Sequence, residues 1–348
     1  MENRYSPKVS IDNLMQTCRM LAKWERLSGS EQELEAFRYF ESEFQKLGME
    51  TELVLHDAYI SLPVSARLVV NEREYPCQTH SMSVNVERLS AEIYRAASAE
   101  DITQENCAGK IVMTVARADY KTARRAEMVG AVGLICVQIK RICESIISNA
   151  WGSPTPYDRE LFPQIPVVSI TDETERQMLV AGCPLKALLS VATDTGWRKI
   201  PSLTATVLAE NKTDEFMMFS GHLDSWYYGA IDNGTVNATQ LEVARIAIES
   251  RKDLKRNLRI VMFSGHSHGR YAGSAWYADH HWEDLHENCV INVNADSLGG
   301  VGADDLTQSI IMPEARNVAK EVIRRLTGVE YVGARCGRLA DQSFWING

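Results

Sequence analysis

Two apolar runs that each end in Ser-Gly-His constrain this chain most: Phe219-Ser-Gly-His222-Leu-Asp224-Ser and Phe263-Ser-Gly-His266-Ser-His268-Gly. An apolar run that gives way to polar residues is how a buried strand delivers side chains to a pocket at its carboxyl end. Around these two, Leu203-Thr-Ala-Thr-Val-Leu-Ala, Phe216-Met-Met-Phe, Leu258-Arg-Ile-Val-Met-Phe and Cys289-Val-Ile-Asn-Val-Asn read as strands. Helices are predicted from about Ala238 to Ser250 and from about Ser274 to His286. Strands alternating with helices at that spacing predict a largely parallel sheet covered on both faces. Functional side chains then gather after the strands, where His222, Asp232, His266, His268 and Asp296 stand.

Upstream, Ile11 to Leu47 reads as two helices. Leu14, Cys18 and Leu21 share a face, as do Leu34, Phe37, Phe40 and Phe44, and Ser28-Gly29-Ser30 separates them. Gly48 to Leu55 alternates like a strand. The character changes near Pro63. Ala66-Arg-Leu-Val-Val, Gly109-Lys-Ile-Val-Met-Thr-Val, Gly130-Ala-Val-Gly-Leu-Ile-Cys-Val and Ile165-Pro-Val-Val-Ser-Ile read as strands, with a helix from Lys121 to Val129 and a helix start at Thr171-Asp-Glu-Thr-Glu. The expected organisation is a domain made of residues 1–62 and 200–348, with 63–199 inserted as a second α/β domain.

The candidate site has ordinary readings beside functional ones. His222-x-Asp224 places two side chains on one side of an extended backbone, which serves a hydrogen-bonded loop as well as a ligand and the group that orients it. Asp232, in Gly229-Ala-Ile-Asp232-Asn-Gly just before a helix, is placed to cap that helix or to bind a cation. Asp296 ends a buried strand, where pairing or coordination must offset its desolvation. His280, His281 and His286 read as an exposed helix end, and His56 and His80 as isolated residues.

Gly221-His222-Leu-Asp224-Ser, Gly229-Ala-Ile-Asp232-Asn-Gly, Gly273-Ser-Ala-Trp-Tyr and Asn292-Val-Asn-Ala-Asp296-Ser-Leu-Gly together resemble the M28 family of zinc aminopeptidases and related carboxypeptidases. The resemblance implies a phosphorylase/hydrolase-like three-layer α/β/α sandwich with a mixed, mostly parallel sheet. It also implies that His222 and Asp296 bind separate metals, that Asp232 bridges them, and that Asp224 orients His222. The strands of residues 63–199 resemble the protease-associated domain that several peptidase families carry as an insertion.

Two segments depart from the family pattern. Where the family has adjacent glutamates, the first a general base and the second a ligand, this chain has Gly265-His266-Ser267-His268-Gly269. His266 takes the base position, and an imidazole suits proton transfer near neutral pH. His268 is open to three roles: base, nitrogen ligand or substrate contact. Arg270 beside them is either a surface ion-pair former or a two-point anchor for a substrate carboxylate. Where the family has its last histidine ligand, Asp341-Gln342-Ser-Phe344 offers either Asp341 or Gln342.

The activity expected is metal-dependent hydrolysis of an amide bond in a small peptide-like or N-acyl substrate, with one or two divalent ions, zinc first and cobalt, manganese or iron also fitting. The competing expectation is an altered or inactive M28-fold binding or scaffolding subunit. A net charge of -9 without a long charged run points to neither nucleic acid nor an anionic membrane. No apolar leader or span is evident, so a soluble cytoplasmic protein is the default expectation. Eight dispersed cysteines without a Cys-x-x-Cys pair predict reduced thiols. The aromatic end, Ala340-Asp-Gln-Ser-Phe-Trp-Ile-Asn-Gly348, predicts a homo-oligomer or a second polypeptide that completes the C-terminal part.

Overall fold

The computed structural model describes residues 8–180, 182, 184–302, 305, 307, 309–333 and 341–344. The chain divides into two compact units. The described parts of Met1–Ala58, Lys199–His266 and Tyr271–Gly348 form one, and Tyr59–Arg198 with Ser267–Arg270 forms the other. The sequence partition placed Ser267–Arg270 in the first unit; they group with the second. Two of the four crossings fall inside long strands, Glu50–Val70 and Lys186–Val207, and the other two flank Ser267–Arg270. Pro63, read as a boundary, lies within the first of these strands, where extended backbone suits its fixed φ.

In the first unit the strands run in the order Cys289–Asn294, Phe216–His222, Asn257–Phe263 and the 199–207 part of Lys186–Val207. The first three are parallel, and the fourth is antiparallel to its neighbour. Residues alternate between two faces because strand side chains do. Leu258, Ile260 and Met262 join Leu203, Ala205, Val207 and the helices Ile11–Leu21, Glu31–Lys46 and Thr235–Glu249 in one core. Val261 and Phe263 join Phe216, Met218, Tyr277, Leu285 and Phe344 in the other, beneath the helices Ala272–His280 and Trp282–Asn288. The result is a three-layer α/β/α arrangement with a mixed, mostly parallel sheet.

Helix Glu31–Lys46 shows why the sequence folds this way locally. Ser30 caps it by accepting from the Glu33 amide, and Phe37, Phe40 and Phe44 form its inward stripe, all fully buried. Each ring contributes roughly 1.5–3 kcal/mol by leaving water. The predicted helix from Ser274 to His286 is instead two, broken where His281 leaves helical geometry at φ -113.

The second unit has parallel strands Val86–Ala96, Ile111–Val115, Gly133–Gln138 and Val167–Thr171, with the helices Tyr120–Met128 and Asp172–Val180. Gln78–Thr79 adds antiparallel to Val167–Thr171. Its interior is two clusters, one around Met113, Ile135, Val137 and Ile170, the other around Val112, Leu134, Cys136 and Val167. Cys18, Cys77, Cys107, Cys136, Cys143 and Cys289 are free thiols; Cys183 and Cys336 lie outside the described residues. No helix among the described residues is long and apolar enough to cross a membrane.

Candidate metal centre

Register brings the site together. His222 pairs with Phe263 across the sheet and Asn294 pairs with Ser220, so His222, His266 and Asp296 lie at the carboxyl end of three adjacent parallel strands. Ligand atoms of these three lie within 4.8 Å of one another. His222 Nε2 is 3.1 Å from Asp232 Oδ1 and 3.7 Å from Asp296 Oδ1.

His222 is buried, and its Nδ1 donates to the Asp224 carbonyl at 2.9 Å. A carbonyl can only accept, so that bond fixes the proton on Nδ1 and points the other nitrogen at the carboxylates. Nε2 is buried without an aligned hydrogen bond despite its two carboxylate neighbours. A buried polar atom in that state signals a missing partner. Burial opposes charge on His222, but Asp224, Asp232 and Asp296 outweigh it and hold its pKa well above the ordinary imidazole value. Burial likewise opposes ionisation of Asp296; His222, His266 and the Ser297 hydroxyl outweigh it and hold its pKa below the usual carboxylate range. An imidazole nitrogen facing two carboxylates is a donor set that fits a divalent cation, zinc in particular.

The resemblance implied separate ions for His222 and Asp296. Their ligand atoms lie 3.7 Å apart. Asp232 does not cap the following helix: Gly234 occupies the cap position, with no side-chain cap bond. Asp224 orients His222 through its carbonyl more closely than through its carboxylate, which lies 3.4 Å from Nδ1. That carboxylate accepts from Ser28 Oγ at 2.7 Å and from the His266 amide at 3.3 Å.

His266 stacks on His222, with ring centroids 3.8 Å apart, and its Nδ1 lies 2.9 Å from Asp341 Oδ2. Of the two residues offered at the family's last ligand position, Asp341 therefore meets His266, while Gln342 lines a groove with Asn292 and Asn294. His268 is fully buried and faces Glu144 at 3.4 Å, within the second unit. Arg270 there donates to Asn149 Oδ1 at 3.3 Å. Neither is in the His222 group.

Sequence reasoning missed what holds the loops. Arg26 is fully buried and donates to the carbonyls of Leu21, Trp24, Leu223, Tyr228 and Gly229. It thereby ties the loop between His222 and Asp232 to the N-terminal helices. Gly229 completes that turn at φ 45, where a Cβ would meet the Asp232 carbonyl at 2.3 Å and Ser225 Cβ at 2.4 Å. Asn233, joined to Asp232 by a cis peptide bond, donates to the Ala295 carbonyl and accepts from the Ser297 amide. Asn237 Nδ2 donates to the His222 carbonyl at 2.9 Å. The available signal was Arg26 itself, a charged residue set against the Ser-Gly-Ser break.

Residues 203–334 match the sequence profile of Peptidase family M28. The chain is 28% identical over 113 residues to the probable glutamate carboxypeptidase VP8 of Zea mays, covering 31% of this chain and 16% of that protein. It is 24% identical over 265 residues to carboxypeptidase Q of Xenopus laevis, covering 71% of this chain and 54% of the relative. It thus spans about half the length of the frog protein and far less of the maize one. In structure it is similar to BSAP, a zinc aminopeptidase from Bacillus subtilis, with a TM-score of 0.71 and 21% identity over 96% of this chain and 81% of that one. At that identity the likeness is one of fold.

Proposed function

We propose that this chain, in which residues 203–334 form a Peptidase family M28 domain, is a metal-dependent hydrolase of amide bonds in a small peptide-like or N-acyl substrate. The observation that carries the reading is His222 Nε2, buried, without an aligned hydrogen bond among the described residues, and set against Asp232 and Asp296. These three residues would hold one divalent ion, zinc by the mixture of nitrogen and oxygen donors. When bound, such an ion acts as a Lewis acid toward a substrate carbonyl and toward water.

The residues around it have definable work. The Asp224 carbonyl keeps the His222 proton on Nδ1, so that Nε2 stays a donor to the cation. His266 accepts the proton that the attacking water gives up, and returns it to the leaving amine. Ser267 carries no charge, which is why one ion is proposed rather than two. Residues 59–198 are read as a protease-associated-type domain on their strand and helix order alone.

Elemental analysis of chain purified without chelator, followed by assay on leucine 4-nitroanilide and on alanyl-leucine, tests the reading. One zinc per chain and hydrolysis that falls about 10²–10⁴-fold in His266→Ala are expected. No bound metal and no hydrolysis would sink it in favour of a binding or scaffolding role, for which loss of both family glutamates speaks.

A further inference from the structure

We propose that Asp341 is a positioning residue for His266, and that the two form a carboxylate–imidazole dyad doing the proton-accepting work a glutamate does in the family pattern. The proposal rests on the hydrolase reading above and deepens it. A carboxylate oxygen accepts, so the 2.9 Å contact between His266 Nδ1 and Asp341 Oδ2 places the ring proton on Nδ1. Nε2 is then the basic nitrogen.

The ring has little freedom to leave that state. It is stacked on His222, 14° from parallel, and meets the edge of Tyr271 at 4.9 Å. Its own amide is held by Asp224. A ring nitrogen of His266 lies within 4.8 Å of the ligand atoms of His222 and Asp296, so the base belongs to the same centre as the cation site.

Asp341 is 1% exposed, and its Oδ1 has no hydrogen-bond partner among the described residues. Burying a carboxylate half satisfied is costly, and His266 is the partner that offsets the cost. A neutral amide ligand or a second metal ligand would use the residue differently: Asp341 is not in the group that surrounds His222. Proton transfer balances simply, because the proton leaving water arrives on Nε2 and the Nδ1 proton stays shared with Asp341.

The test is long-range proton–nitrogen correlation NMR on the full chain labelled at the histidine ring nitrogens, with His266→Gln locating the His266 signals. Nδ1 protonated and Nε2 unprotonated is the expected wild-type state near neutral pH. In Asp341→Asn both shifts should move toward averaged values, and Asp341→Glu should restore them. An Nε2-protonated wild-type ring, or an Asp341→Asn spectrum identical to wild type, would overturn the dyad, and the wild-type spectrum decides this even if the variants do not fold. With zinc-loaded chain and leucine 4-nitroanilide, Asp341→Asn should lower kcat about 10–100-fold with KM within about twofold. A raised KM at unchanged kcat overturns the positioning role. Failure of wild-type chain to bind zinc sinks the hydrolase reading, while the ring spectra still judge the dyad.

Discussion

His222 in the first unit and His80 in the second are both buried histidines, and their surroundings drive them in opposite directions. His80 Nε2 lies 2.7 Å from Ser169 Oγ, which also accepts from Gln138 at 2.9 Å. Burial, with Arg117 adding to it, pushes the His80 pKa down to about 4. His222 is as deeply buried, but its neighbours are carboxylates, and its pKa is raised. Burial by itself therefore does not mark a site. A neutral imidazole among hydroxyl and amide groups is architecture; one that carboxylates invite to be charged is a candidate for a cation site.

Four substitutions can break or sharpen that contrast. The largest effect is expected from His222→Ala: isothermal titration calorimetry should show zinc affinity down by at least about 100-fold, since even residues behind the ligands are worth 10–100-fold. His80→Ala should leave zinc affinity within about twofold of wild type, and equal losses in both variants would end the distinction. Zinc affinity should also rise with pH, because the ion must displace a proton that the raised His222 pKa retains. Calorimetry below and above neutrality checks that sign.

Arg26→Lys comes next, with zinc affinity about 10-fold weaker. An ammonium cannot span carbonyls as far apart as those of Leu21 and Gly229 in the way a guanidinium fork does. Unchanged affinity would show that the loop holds itself. His80→Ala should cost about 1–3 kcal/mol in urea unfolding by removing the buried ring and its bond to Ser169. Its pH dependence is informative as well. The folded pKa of about 4 lies below the ordinary 6.5, so His80 favours folding at higher pH and that contribution is lost as pH falls through this window. The variant should show a flatter profile there.

The smallest effect is expected at Glu33. Its burial, reinforced by the nearby Asp224, raises its pKa well above the ordinary carboxylate value. The folded state then holds a proton that the unfolded chain releases, so this residue costs stability as pH rises. Glu33→Gln should stabilise by roughly 0.5–2 kcal/mol, more at pH 8 than at pH 5. A loss at pH 8 would mean that the charge is needed beside Arg26.

The sheet and the positions of His222, Asp232, Asp296 and His266 were legible because strand ends are written in apolar runs that stop at polar residues. The clamp at Arg26 was not, since its partners are backbone carbonyls, which every residue carries alike. The surroundings of His268, left open between base, ligand and substrate contact, also required the fold: Ser267–Arg270 pack with the second unit and His268 meets Glu144. Asp341 was visible as a candidate, and its pairing with His266 required the fold. The long strand Glu50–Val70 hid its continuity behind a proline.

The Arg26 clamp also imposes an order on events during synthesis. Two of its acceptors, the Leu21 and Trp24 carbonyls, precede it in the chain, while Leu223, Tyr228 and Gly229 follow 197, 202 and 203 residues later. Until then three of its five hydrogen bonds have no acceptor within the chain. Contacts of such separation form late because chain closure precedes any reward for them. The loop between His222 and Asp232 thus gains its anchor to the N-terminal helices only through contacts of long sequence separation.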